Sequence, residues 1–205
     1  MKKIGFIGYG SLGHQIKNMF ADELCEPIDI CYFDNFSKEE VYPFNMHMLC
    51  NFIDHEFIVC LGYKHLQLKH NIILGLIENR KLITFIHSSS YIDKSVQVGK
   101  GVVIYPMCNV DQMCELGNGV LLNNSATISH NTKIGDCCYI SPGVTINGNV
   151  TIGSCCFIGA GVSIANGVTI GKNSVIGIGS VITEDIKENT IGIGNPFQRK
   201  EIKLN

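Results

Sequence analysis

From residue 92 to residue 182 an aliphatic side chain returns at every sixth position. The positions are Ile92, Val98, Ile104, Val110, Leu116, Leu122, Ile128, Ile134, Ile140, Ile146, Ile152, Ile158, Ile164, Ile170, Ile176 and Ile182. Four residues after each, from Val96 to Ser180, stands Val, Cys, Ala, Thr or Ser, and no insertion breaks the register. A period of six belongs to neither an α-helix nor an isolated strand. It marks a solenoid, and a hexapeptide period marks a parallel β-helix. Three short strands then make one roughly triangular coil of eighteen residues, with the large aliphatic and the small residue both facing inward. Sixteen hexads predict about five coils. The glycines and asparagines of "NGNV", "GAGV" and "ANGV" suit tight corners with positive φ. The period alone does not set the hand of the coil.

The first ninety residues follow a different rhythm. "KKIGFIGYGSLGHQIKNMF" reads as strand, glycine turn and helix. "IDICYFDN" reads as a second strand ending at Asp34, and "EFIVCLG" as a third ending at Gly62. "KHLQLKHNIILGLIEN" has helical Leu/Ile spacing, and "KLITFIH" reads as a fourth strand. Alternation of this kind predicts a small parallel α/β sheet, a Rossmann-like half, with ligands at the carboxyl ends of its strands. The expected organisation is a ligand-binding β/α domain over 1–90, a β-helix over 91–184 and a closing loop and tail over 185–205.

Gly8, Gly10 and Gly13 form a GxGxxG, and Asp34 follows Gly13 by twenty-one residues, which matches the ribose contact of NAD proteins. The unit is only half of a dinucleotide fold, however. A glycine turn at a helix N-terminus cradles any pyrophosphate, so a nucleotide sugar fits as well as NAD.

Net charge is −2 over 205 residues, which gives no electrostatic case for nucleic acid or an anionic membrane. No apolar run reaches the length of a membrane span. The glycine-broken start reads as a first strand and not as a signal peptide, so a soluble cytoplasmic protein is expected. Ten cysteines contain no CxxC, and Cys137-Cys138 and Cys155-Cys156 are adjacent pairs ill suited to one ion. Cys108, Cys114, Cys138 and Cys156 occupy the inward small position, so a buried packing role is expected. His47, His55, His65, His70 and His87 show no zinc spacing and read mostly as surface residues; no metal is expected.

His130 stands two after Ile128, where the register turns a side chain outward. Histidine titrates in the range useful for general base catalysis.

The hexads resemble those of the left-handed β-helix acyltransferases. A β/α/β domain followed by such a β-helix and a closing "GNP" resembles the sialic acid O-acetyltransferase group, which includes bacterial nucleotide-activated amino-sugar N-acetyltransferases. The resemblance implies a homotrimer with acetyl-CoA as co-substrate, its arm lying between neighbouring β-helices. It implies that Gly10, Ser11, Leu12 and Gly13 hold the nucleotide sugar, with Asp34 and Asn35 reading the base and Gly62 closing the pocket. Leu12 stands where the family often has a histidine; His14 comes two later. "HNTKIGD" matches the family's run around its catalytic base, which makes His130 the base. The family commonly follows that histidine with an acidic residue; here it is Asn131, which orients an imidazole without adding charge. That difference favours an amine acceptor. The resemblance also implies acetyl-CoA contacts at Tyr139, Ala160, Ile178 and Pro196, with Arg199 or Lys200 beside the adenine. The activity expected is N-acetylation of a dTDP- or UDP-linked 4-amino-4,6-dideoxy sugar in bacterial surface glycan synthesis, such as lipopolysaccharide O-antigen. The alternatives are sialic acid O-acetylation and non-catalytic nucleotide-sugar binding.

Overall fold

The computed structural model describes residues 1–23, 28–35, 41–46, 48–78 and 81–200. Cys25, His47 and the last five residues of the tail lie outside the described residues. The N-terminal unit runs β1 (Lys2–Ile7), α1 (Ser11–Glu23), β2 (Ile28–Phe33), β3 (Glu56–Val59), α2 (Leu66–Leu76) and β4 (Lys81–Leu82). The strands form a parallel sheet in the order β2-β1-β3-β4. Alternate residues of β1 feed two apolar layers. Ile4 and Phe6 pack with Ile16 and Phe20 of α1, while Ile7 packs with Phe33, Phe57 and Ile73 of α2. The glycine run serves the strand-to-helix reversal. Gly8 has φ +96, and a Cβ at Gly13 would strike the Gly8 carbonyl oxygen.

"KLITFIH" is not one strand. Its first two residues close the N-terminal sheet against Glu56 and Phe57. Phe85–Ile86 instead pairs with Val103–Ile104 and begins the solenoid. The β-helix therefore starts earlier than the hexads announce and runs for about six coils rather than five. Among the described residues it has three parallel faces. The first stacks Phe85–Ile86, Val103–Ile104, Leu121–Leu122, Tyr139–Ile140, Phe157–Ile158 and Val175–Ile176. The second runs from Tyr91–Ile92 to Val181–Ile182, and the third from Gln97–Val98 to Thr169–Ile170. Partners are eighteen residues apart on every face, as with Ile128 and Ile146. The C-terminal end is closed by Ile191–Ile193, parallel to Val175–Ile176, and by Gln198–Arg199, which turns back antiparallel.

The inward aliphatics form one continuous core from Ile104 to Ile182. The inward cysteines do more than fill space. Cys108, Cys114, Cys138 and Cys156 each donate to the carbonyl fifteen residues on, at Asn123, Ser129, Gly153 and Gly171, over 3.1, 3.1, 3.0 and 3.2 Å. Thr132 does the same to Asn147 at 3.0 Å. A thiol or hydroxyl thus satisfies a carbonyl turned into the core, which would otherwise be costly to bury. The corners take more than glycine and asparagine: Met107, Met113, Cys137 and Cys155 also have φ between 55 and 61.

Outward positions differ by face. Those of the second and third faces are mainly polar, such as Asn109, Thr127, Thr145, Glu115 and Lys133. Those of the first face are apolar, and the N-terminal domain covers them. Val103 and Leu121 pack with Ile4, Phe6, Phe20 and Ile58. Tyr63, next to α2, stacks on Phe157 with ring centres 4.7 Å apart. Two residues read as surface histidines sit at this junction: His87 lies 3.3 Å from Glu23, and His70 3.7 Å from Asp136. Glu23 also accepts from the Ser88 hydroxyl at 2.6 Å, tying the end of α1 to the first corner.

Lys69 of α2 is 1% exposed and points into this junction among Cys60, Cys137, Cys138 and Cys155. None of the hydrogen bonds or ion pairs among the described residues involves its ammonium group. Burial therefore pulls its pKa below 10.5. The folded protein binds fewer protons than the unfolded chain between that lowered value and 10.5, so this lysine costs stability as pH falls through that window and costs most below it. Lys69→Met should raise the stability at pH 7 by on the order of 1–3 kcal/mol. The advantage of the variant should shrink as pH approaches 10.5, read as the difference between the two proteins' denaturation midpoints. An equal or lower midpoint for the variant at pH 7 would contradict an unpaired buried lysine.

Candidate functional site

The carboxyl ends of β1, β2 and β3 open onto a cavity of about 100 Å³. Its walls are Phe33, Phe44, Leu61, Leu68 and Ile72, and its polar groups are Asp34, Asn35 and His65. Asp34 accepts the Tyr9 backbone N–H at 2.6 Å, which locks the first loop to the end of β2. Asn35 donates to the Phe44 carbonyl at 3.1 Å and accepts the Phe44 N–H at 2.7 Å. It thereby holds a wall of the cavity, a role distinct from the expected base contact. Gly10 and Ser11 are exposed at the start of α1. Leu12 packs into the apolar cluster beneath the sheet, and Gly13 is buried against Gly8. So of the four loop residues expected at the nucleotide sugar, two face solvent and two face the interior. Gly62 stands open beside the cavity, and its carbonyl caps the turn to His65. His65 on the rim, and Tyr9 stacked between His14 and Tyr32 at 4.2 and 3.8 Å, carry no distinguishing signal in the sequence.

His130 is exposed at the corner between the second and third faces. Its Nδ1 lies 3.1 Å from Asn131 Oδ1. An amide oxygen only accepts, so in the neutral imidazole this contact fits the tautomer with Nδ1–H donating to Asn131 and the lone pair on Nε2. Asn131 reaches this position from a left-handed corner, φ 59. The corner glycine one coil further, Gly148, already donates its N–H to Asn166 Oδ1 at 2.9 Å.

His130 and the cavity do not meet within one chain. The N-terminal domain covers the first face, and His130 stands on the edge opposite that face. The residues expected at acetyl-CoA also divide. Ala160 and Ile178 stack one coil apart on the edge between the first and second faces, and Ile178 is 67% exposed. Beside them a Cβ at Gly143, Gly161 or Gly179 would meet nothing within 4 Å, so this edge is smooth and open. Pro196 is exposed in the closing loop, after a cis peptide bond. Tyr139 instead lies half-buried under the N-terminal domain, beside Tyr63 and Phe157, with its hydroxyl accepting from Asn123 at 3.1 Å.

Residues 113–148 and 149–184 match the family described as Bacterial transferase hexapeptide (six repeats). No sequence among the curated proteins matches the chain. Solved structures match almost all of it. A point mutant of perosamine N-acetyltransferase from Caulobacter crescentus, in complex with CoA and GDP-perosamine, is 22% identical, with TM-score 0.85 and 98% of each chain covered. The acetyltransferase domain of PglB from Neisseria gonorrhoeae is 26% identical, with TM-score 0.84, covering 98% of this chain and all of that one. The same domain has been solved with acetyl coenzyme A. WeeI from Acinetobacter baumannii is 20% identical, with TM-score 0.81 and the same coverage. The chain thus shares the fold of these solved structures, a left-handed parallel β-helix preceded by a small parallel-sheet region.

A thiol nucleophile near His130 has no support in this geometry. Cys137 is fully buried, and burial pushes its pKa to about 12, as it does for Cys60. In the folded protein Cys137 should resist a thiol reagent at neutral pH and react only on unfolding, as mapped by peptide mass. Prompt labelling of Cys137 would reopen a covalent route.

Proposed function

We propose that the protein is an acetyl-CoA-dependent N-acetyltransferase acting on a nucleotide-linked 4-amino-4,6-dideoxy sugar in the cytoplasmic stage of bacterial surface glycan synthesis. The observation that carries this reading is His130, an exposed imidazole with a free Nε2 on a hexapeptide corner. The fold around it, end to end, is also that of an N-acetyltransferase solved with CoA and GDP-perosamine. The cavity at Asp34 takes the nucleotide, and the open glycine edge at Ala160 and Ile178 takes the pantetheine arm of acetyl-CoA. Because these elements do not converge in one chain, the working unit is a homotrimer in which the cavity of one subunit faces His130 of another.

His130 Nε2 takes the proton that the sugar amine sheds as its nitrogen attacks the thioester carbonyl. The carbon–sulfur bond then breaks, and the imidazolium returns the proton to the departing thiolate. Asn131 keeps the tautomer but adds no negative charge to favour imidazolium. A weak base suffices for an amine, which binds partly neutral, and serves a sugar hydroxyl poorly. This favours N- over O-acetylation.

Loss of thioester absorbance should report turnover when acetyl-CoA is offered with UDP-, dTDP- or GDP-linked 4-amino-4,6-dideoxy sugars, with sialic acid as the contrasting acceptor. His130→Ala should lower kcat by roughly 10²–10⁴-fold. Turnover of sialic acid alone would transfer the reading to O-acetylation. Acetyl-CoA binding without any turnover would favour a non-catalytic role. With the amine acceptor, Asn131→Glu should leave the pH–rate profile nearly unchanged; a large gain in rate would show that His130 lacks basicity.

A further inference from the structure

Along the corners, a side-chain oxygen often accepts the backbone N–H of the residue one coil earlier. Asn118 accepts from Lys100 at 2.9 Å, Asp136 from Asn118 at 2.7 Å and Asn166 from Gly148 at 2.9 Å. The column through the proposed base is Gln112, His130, Gly148 and Asn166. Only Asn166 follows the pattern in this column: the Gln112 N–H goes to Asp111 Oδ1 at 2.7 Å, and Gly148 has no side chain to extend toward His130. The imidazole occupies that place. A Cβ on Gly148 would lie 2.5 Å from His130 Cε1, 2.6 Å from Nε2 and 3.1 Å from Nδ1. The backbone does not itself demand glycine here, since the φ of Gly148 is outside the left-handed range.

We propose that Gly148 is a positioning residue for His130. Its missing Cβ lets the imidazole rest directly against the next coil, where Nδ1 meets Asn131 Oδ1 and the tautomer is held. Asn166, bonded to the Gly148 N–H, keeps that floor in place. The inference rests on the proposed role of His130 as base, but its geometric part can be read without turnover. An alanine at 148 must push the ring aside, which separates Nδ1 from Asn131 and moves Nε2 off the reacting amine.

The test is Gly148→Ala in the full-length protein. Displacement of the base should lower kcat by roughly tenfold to a hundredfold. KM for acetyl-CoA and for the sugar should stay within about twofold, and the acidic limb of the kcat–pH profile should move. The double variant Gly148→Ala/His130→Ala should be no slower than His130→Ala alone. Unchanged kcat and pH limb, or fully multiplicative losses, would overturn the proposal. In the His130→Ala background the alanine should not lower the unfolding midpoint; a fall there would show that the glycine serves the coil and not the ring. If the wild-type protein transfers no acetyl group to any acceptor, the functional reading fails separately. Imidazole ¹⁵N shifts of His130 then decide the inference. A protonated Nδ1 in the wild type that is lost in Gly148→Ala sustains it, and identical shifts in both proteins refute it.

Discussion

Stacking at an interval of eighteen residues is the constraint on which the rest of this protein depends. Each short strand is too small to hold a core alone, and each coil buries its aliphatics only against the coils above and below. Ile128 must lie over Val110 and under Ile146, and any insertion would turn inward residues out. The inward small position obeys the same rule. Its thiols and the Thr132 hydroxyl reach carbonyls fifteen residues on, so even the cysteine usage is a consequence of the repeat. Register also creates columns at the corners, where identical backbone geometry recurs and side chains are free to differ.

The corner columns differ in chemistry. One lies under α2 and carries Gly119, Cys137 and Cys155, small enough for Ile73 and Lys69 to pack on them. Another carries glycines with open space beside them, a smooth edge suited to an extended ligand arm. The third carries His130 over Gly148. The solenoid offers three chemically distinct edges from one backbone repeat, and the N-terminal domain occupies the face between two of them. That placement removes the third edge from its own domain's cavity, and this is the physical basis for reading the working unit as more than one chain.

The junction between the two domains is where local preferences are overridden. Lys69 is buried among thiols because α2 must lie on the first face, and helix periodicity puts this position on the inside. Tyr139 and Phe157 are outward residues of the solenoid and inward residues of the whole protein. The seven residues of "KLITFIH" are shared between two sheets because β4 and the first solenoid strand leave only a short connection between them.

The sequence by itself determined the solenoid, its inward residues, the outward placement of His130 and the β/α character of the first ninety residues. These follow from periodicity, and periodicity is a local property that a single chain displays in full. The covered face also has its mark there: every third outward hexad position, at Val103, Leu121, Tyr139, Phe157 and Val175, is apolar. Tertiary structure alone decided the rest. It made Asn35 a strut rather than an exposed amide and brought His65 to the cavity rim. It turned Leu12 and Gly13 inward. The eighteen-residue coil already stacks Gly148 on His130, but how close the imidazole comes to that glycine was decided in three dimensions. The contacts of Asn35, His65, Leu12 and Gly13 lie outside the repeat, so they are fixed by packing between elements that no period relates.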